Sequence, residues 1–349
     1  MGTGGQLEDQ ANAVRRMRGL IYGNWQTCIT FAFAELAVAD LLEGGALTVA
    51  ELASATGTHA RSLQRFLRCC AQLGFVQQAA EDGEVALTAF GALLSSDHPL
   101  GQRDAARLNG AFYRYEPWGR LVDILRSGSG ACFSPTHAEG SLDFLQDKPD
   151  MLAVFQRAMN NLSVDEDDLL AGAYDFNRFR HVVDVGGGHG NFLRAILRTS
   201  PDLRGTLFDL EASLATANGD AHAPDDRLQR VAGDFFASVP ADGDVYTLKN
   251  VLHNWPEERV RQILGTVRAA IGADGDPAGK RVLVIEHVMD ERADAPGIAP
   301  WIDLNFFILV GGEDRTLRAY RALFEQCGFV VERVLPTPTG RTIIELSAS

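Results

Sequence analysis

The feature that most constrains the fold is a ten-residue run, His181-Val-Val-Asp-Val-Gly-Gly-Gly-His-Gly190, where an apolar stretch ends abruptly in glycines. A helix-like segment follows from Asn191 to Arg198, before Pro201. Strand, glycine turn and helix open a βαβ unit. Glycine lets the chain turn sharply and lets a ligand approach the main chain, and the amides at the helix start can hold an anionic group. Beyond this point the chain keeps alternating. Apolar strand-like segments recur at 205–209, 228–232, 244–249, 281–287, 328–334 and 341–346, and helices begin near Asn191, Ala212, Pro256 and Thr316. Such alternation predicts an α/β domain over 176–349, a seven-stranded sheet with helices on both faces. The last two strands are joined by only a few residues, so the final strand is expected to run antiparallel.

The chain before residue 176 is of another kind. Residues 1–10 are polar and Gly-rich and carry no signal-peptide pattern, which predicts a disordered leader. Residues 27–43 are apolar nearly all round, which predicts one buried helix. The apolar surface of 11–43 exceeds what one small domain can cover, so a homodimer is expected. Thr48 and Glu51 have capping-box spacing. Residues 59–73 form an amphipathic helix that stops at Gly74, and short strands follow at 75–77 and 85–88. Three helices and a two-stranded wing make a winged-helix pattern over 11–100. Residues 101–175 read as helices joined by loops.

A winged helix raises the alternative of a DNA-binding regulator, since Arg61, Arg65 and Arg68 share one helix face. Charge argues against it: residues 1–100 hold six Arg and no Lys against ten acids, and the chain carries −14 in all. No nucleic-acid partner is expected. No run reaches the roughly 18 apolar residues of a membrane span. The five cysteines, Cys28, Cys69, Cys70, Cys132 and Cys327, lack metal-ligand spacing and read as free thiols of a cytoplasmic protein.

Several nucleotide-like ligands suit a glycine turn. The dinucleotide fingerprint G-x-G-x-x-G places its third glycine where this chain has Asn191. The pattern here, Asp184-x-Gly186-x-Gly188-x-Gly190, instead resembles the first motif of class I methyltransferases. Asp209 ends the next strand at roughly the 20-residue spacing from which a carboxylate bonds a ribose.

Later motifs narrow the choice. Gly233-Asp234-Phe235-Phe236 follows the third strand, Leu248-Lys249-Asn250-Val251-Leu252-His253-Asn254-Trp255 closes the fourth, and Gly311-Gly312-Glu313-Asp314-Arg315-Thr316 precedes the last helix. Together with the N-terminal pattern they resemble the plant-type small-molecule O-methyltransferases and their actinobacterial relatives that act on aromatic polyketides. The resemblance covers nearly the whole chain. It implies a Rossmann-like class I methyltransferase sheet and an N-terminal dimerisation domain, with the region 101–175 serving the acceptor pocket. It implies S-adenosylmethionine as cofactor, S-adenosylhomocysteine as product, and no metal. Asp184, Gly186, Gly188, Gly190, Asp209, Asp234, Phe235, Lys249 and Trp255 would hold the cofactor. Phe155, Met159, Asn254, Asn305, Phe306 and Leu309 would line the acceptor pocket. His253 would be the catalytic base, oriented by Glu286 and Asp314.

The chemistry asks for these residue types. A phenol with a pKa near ~10 is mostly protonated at neutral pH, and a histidine near ~6.5 can take its proton as the methyl arrives. A carboxylate on the far ring nitrogen fixes the tautomer and supports the imidazolium. The chain departs from the plant pattern at Asn254, where those enzymes carry Asp, and at Leu309, where spacing places a plant Asn. The reading is O-methylation of a phenolic hydroxyl on a polyketide-type aromatic. The alternative on the same scaffold is hydroxylation or decarboxylation of a polycyclic polyketide.

Overall fold

The computed structural model describes residues 3–78, 83–128, 130, 148–163, 166–216, 225–273, 275, 277–292 and 294–349. Cys132 and residues 81–82 of the wing lie outside them. The chain forms two units: Met1–Glu116 with Asp150–Leu162, and Pro117–Pro149 with Ser163–Ser349.

The first unit opens with helix Thr3–Ile21, where a disordered leader was expected. Leu7 to Arg18 is rich in Leu, Glu, Gln, Ala and Arg, all good helix formers, which outweighs the glycines before it. The single helix expected over 27–43 is two helices, Gly23–Glu35 and Val38–Leu42. They are separated by Ala37 in the left-handed conformation, φ 52°. This break lets Phe33, Val38, Ala39 and Leu42 enter one core with Leu52, Leu63, Leu67 and Cys70. The capping box of Thr48 and Glu51 is formed at helix Val49–Thr56. Helix Ala60–Gln72 exposes Arg61, Arg65 and Arg68 to solvent. The wing is an antiparallel pair, β1 (Val76–Gln78) and β2 (Val85–Leu87).

The region 101–175 is no unit of its own. Ala106 of helix Arg103–Gly110 packs on the first unit's core, whereas Ile124 of helix Leu121–Ser127 packs with Ile308 and Leu309 of the second. Its helices follow their apolar faces to different cores.

The second unit is built on seven strands: β3 (His181–Val185), β4 (Arg204–Asp209), β5 (Leu228–Ala232), β6 (Val245–Lys249), β7 (Arg281–Glu286), β8 (Phe329–Pro336) and β9 (Thr342–Ala348). Their order is β5-β4-β3-β6-β7-β9-β8. Neighbours from β5 to β7 are parallel, and β9 runs antiparallel to both β7 and β8. Strand periodicity assigns the faces. Val183, Val185, Tyr246, Leu248, Val282 and Val284 face helices Glu257–Ile271 and Leu317–Gln326. Val182, Val245, Leu283 and Ile285 face the other way, toward helices Asn191–Thr199 and Glu166–Gly172. Each such buried side chain contributes about 1.5–3 kcal/mol by leaving water. No helix among the described residues is long and apolar enough to cross a membrane.

Candidate active site

Period-2 alternation places two polar clusters at the carboxyl ends of the central strands, one on each face. Asp184 continues the face of Val182, and Thr247 and Lys249 continue the face of Val245. Thr247 Oγ1 donates to Asp184 Oδ1 at 2.6 Å, and Lys249 Nζ sits 2.5 Å from Asp167 Oδ1. Asp184 is buried and its Oδ2 has no hydrogen-bond partner. Burial pushes its carboxyl up to about 6, against the opposing effects of the Thr247 hydroxyl and the Lys249 charge.

The glycine loop lies above this cluster. Gly186, Gly188 and Gly190 all have positive φ, at 70°, 57° and 78°. A Cβ at Gly187 would stand 2.4 Å from Asp184 Oδ2, while one at Gly188 would meet nothing within 4 Å. The loop is therefore tight on its inner side and open on its outer side. Asp209 crosses to it from β4: its Oδ2 accepts from Gly188 N at 2.8 Å and its Oδ1 from Leu210 N at 2.7 Å. Beyond Asp209, Phe235, Phe236 and Trp255 form an edge-to-face aromatic group, with Asp234 exposed at its rim. Gly loop, carboxylate and aromatic wall fit a nucleoside bearing an amino-acid tail.

The second cluster continues the face of Val282 and Val284. Glu286 is fully buried at the end of β7, and its Oε1 accepts from Val251 N at 3.1 Å and Leu252 N at 2.9 Å. Its Oε2 lies 2.9 Å from His253 Nδ1, and Asp314 Oδ1 lies 3.4 Å from the same nitrogen. Neither contact is an in-line hydrogen bond, so Nδ1 is held by charge between two acceptors. His253 is 4% exposed, and the Phe306 ring stacks on it at 4.1 Å. Burial pushes the imidazole's pKa down, but Glu286 and Asp314 outweigh it and raise the value to about 9. Burial works equally against the Glu286 charge, yet His253, Arg341 and the Leu252 amide hold that carboxyl below its ordinary range. The three ligand-type groups lie within 4.8 Å of one another. Glu286 Oε1 is already taken by two amides and both acids face one ring nitrogen, an arrangement able to fix the orientation of an imidazole.

Two family models match the chain: an O-methyltransferase domain over residues 118–330 and an O-methyltransferase dimerisation domain over 19–97. The chain belongs to the O-methyltransferase family.

It is an S-adenosylmethionine-dependent O-methyltransferase. It is similar to phenazine O-methyltransferase PhzM of Lysobacter antibioticus, 36% identical over 329 residues, covering 93% of this chain and 94% of the relative. It is also similar to the solved structure of the O-methyltransferase NcsB1 from neocarzinostatin biosynthesis, in complex with S-adenosylmethionine and 2-hydroxy-5-methyl naphthoic acid. There the identity is 31%, the TM-score 0.78, and the coverage 93% of this chain and 96% of that one. A third relative is aclacinomycin 10-hydroxylase RdmB of Streptomyces purpurascens, 36% identical over 302 residues, covering 81% of this chain and 75% of the relative.

In this O-methyltransferase the pocket residues expected from sequence divide. Asn305, Phe306 and Leu309 lie on helix Ala299–Val310. Phe306 reaches His253, whereas Asn305 Oδ1 accepts from Trp118 Nε1 at 3.3 Å and Leu309 is buried among Ile124 and Ile308. Asn254 Nδ2 donates to Asn250 O at 2.9 Å, bracing the turn that carries His253. Phe155 and Met159 are half-buried, one helical turn apart on Pro149–Ser163 in the first unit.

Asp167, Thr247, Asn250 and Arg341 escaped the sequence reading. Asn250 adopts φ 58°, and its Oδ1 accepts from Arg341 Nη1 at 2.5 Å while Arg341 Nε lies 2.8 Å from Glu166 Oε2. Thr247 was readable, because it stands two residues before Lys249 on one strand face. Asp167 and Arg341 are brought in from distant parts of the chain and belong to no motif.

Proposed function

We propose that this enzyme methylates a phenolic hydroxyl on an aromatic natural-product intermediate, with His253 as general base and without a metal. The observation that carries the reading is the His253 imidazole, buried with both Glu286 and Asp314 on Nδ1, which leaves Nε2 as the nitrogen for an acceptor proton. The cofactor supplies a methyl carbon made electrophilic by its sulfonium. The glycines at 186, 188 and 190 and Asp184 receive its amino-acid portion, aided by Lys249. Asp209 bonds the ribose, and Asp234, Phe235 and Trp255 flank the adenine. Asn254, Asn305, Phe306 and Leu309 of the second unit shape the acceptor pocket, Leu309 by packing behind it. Nε2 takes the phenolic proton, and the imidazolium then faces two carboxylates that stabilise it. An aromatic acceptor is supported by the phenazine and naphthoic-acid names of the two relatives. The matched dimerisation domain supports a homodimer, and the free-thiol chemistry a cytoplasmic one.

The hydroxylase relative motivates the second reading, oxygen insertion in place of methyl transfer. One assay separates them. With a phenolic acceptor, His253→Ala should lower turnover about 10²–10⁴-fold, the usual weight of general acid–base catalysis. Product mass should rise by one CH2 group with S-adenosylhomocysteine formed. A rise by one oxygen supports the second reading, and full turnover of His253→Ala removes His253 as base.

A further inference from the structure

Three segments supply the base cluster: the 252–255 turn, the end of β7, and the 311–316 loop. One buried side chain outside the cluster touches the first and third, and its own main chain touches the exit of the second. Arg315 is 3% exposed. Its Nη1 donates to Glu313 O at 2.9 Å and its Nη2 to Trp255 O at 3.3 Å. Its carbonyl accepts from Met289 N at 3.1 Å, three residues past Glu286. The loop it closes is pressed onto His253: Glu313 N donates to His253 O at 2.9 Å, and a Cβ at Gly312 would stand 2.1 Å from that oxygen. Asp314 lies between these two ties. Its amide donates to Asp303 Oδ1 at 2.9 Å, leaving its carboxylate to His253.

Burying a guanidinium is costly unless it is well bonded. Here its planar fork spans two carbonyls on two segments, a geometry lysine cannot reproduce. We propose that Arg315 is a positioning residue for the His253 base, locking the Asp314 loop onto the His253 turn so that Asp314 stays against Nδ1. This rests on His253 as base, but the test reads the clamp separately. Other charged or titratable groups around the cluster are Glu286 of β7 and His287 just past it, Asp303 and Tyr320 from the flanking helices, Arg341 before β9, and Glu313. Arg315→Lys keeps the charge among them and removes only the fork.

The experiment is an NMR titration of the His253 imidazole in the full-length protein. In Arg315→Lys its midpoint should fall about tenfold in proton affinity, as in Asp314→Asn, because Asp314 no longer supports the imidazolium. The double variant should fall no further than Asp314→Asn alone, since both remove one contact. Gly312→Ala, which must push the loop off His253 O, should give the same fall and carries the test if Arg315→Lys does not fold. The variant that folds should keep the wild-type circular dichroism spectrum. An unmoved midpoint, or a double-variant shift equal to the sum of the two single shifts, overturns the proposal. Full turnover of His253→Ala would instead overturn the base, leaving the midpoint comparison intact.

Discussion

His253 and Asp184 are both buried at strand ends, and their surroundings move them in ways that matter for different steps. For His253, two carboxylates overcome burial and raise proton affinity from the ordinary 6.5 to about 9. A value raised in the folded state means stability that is complete below about 6.5 and lost as pH rises through about 9. Urea midpoints of the ligand-free protein should therefore decline across that window, and His253→Gln should flatten the decline. The acid limb of kcat/KM, which reports the free enzyme, should lie above the ordinary histidine range and move down in Glu286→Gln. A limb at an unshifted position in both proteins would refute the assignment of Glu286 as its partner. That His253, Glu286 and Asp314 belong to one cluster was legible, because they sit in motifs at strand ends and a loop. The raised proton affinity was not, because it depends on how far burial and two charges offset each other.

At the scale of elements, one strand's alternation decides which cluster a polar residue joins. Thr247 and Lys249 share a face with Asp184, and Glu286 lies on the opposite side of the sheet with His253. Each acid is thus buried on its own face of the sheet. Asp184 carries a burial cost, with its carboxyl raised to about 6 and one oxygen unpartnered. An acid whose value is raised in the folded state destabilises the fold above that value. Asp184→Asn should therefore raise Tm at pH 8 and weaken S-adenosylhomocysteine binding, both read by calorimetry. A lower Tm with unchanged affinity would assign Asp184 to structure alone. All seven strands of the sheet were legible, since their apolar runs are bounded by glycines and polar turns. Helix Ala299–Val310 was not, because Ile302, Leu304, Phe306, Phe307 and Ile308 surround it and give no helical period. The break at Ala37 was equally silent, with neither glycine nor proline to mark it.

For the whole molecule, the N-terminal helices leave Met17, Leu20, Ile21 and Trp25 more than half exposed, and the matched dimerisation domain begins at residue 19. A patch of this kind on an otherwise acidic chain calls for an apolar partner surface. Leu20→Glu with Trp25→Glu should convert a dimer to a monomer in light scattering, while a wild-type monomer at micromolar concentration would contradict the homodimer. What the molecule does with its two clusters is tested most directly by one measurement: the mass of the product formed from a phenolic acceptor and S-adenosylmethionine carrying a trideuterated methyl group. The account predicts a product that retains all three deuteriums on a new methoxy group, with S-adenosylhomocysteine released. A product that gains oxygen and no deuterium would contradict it.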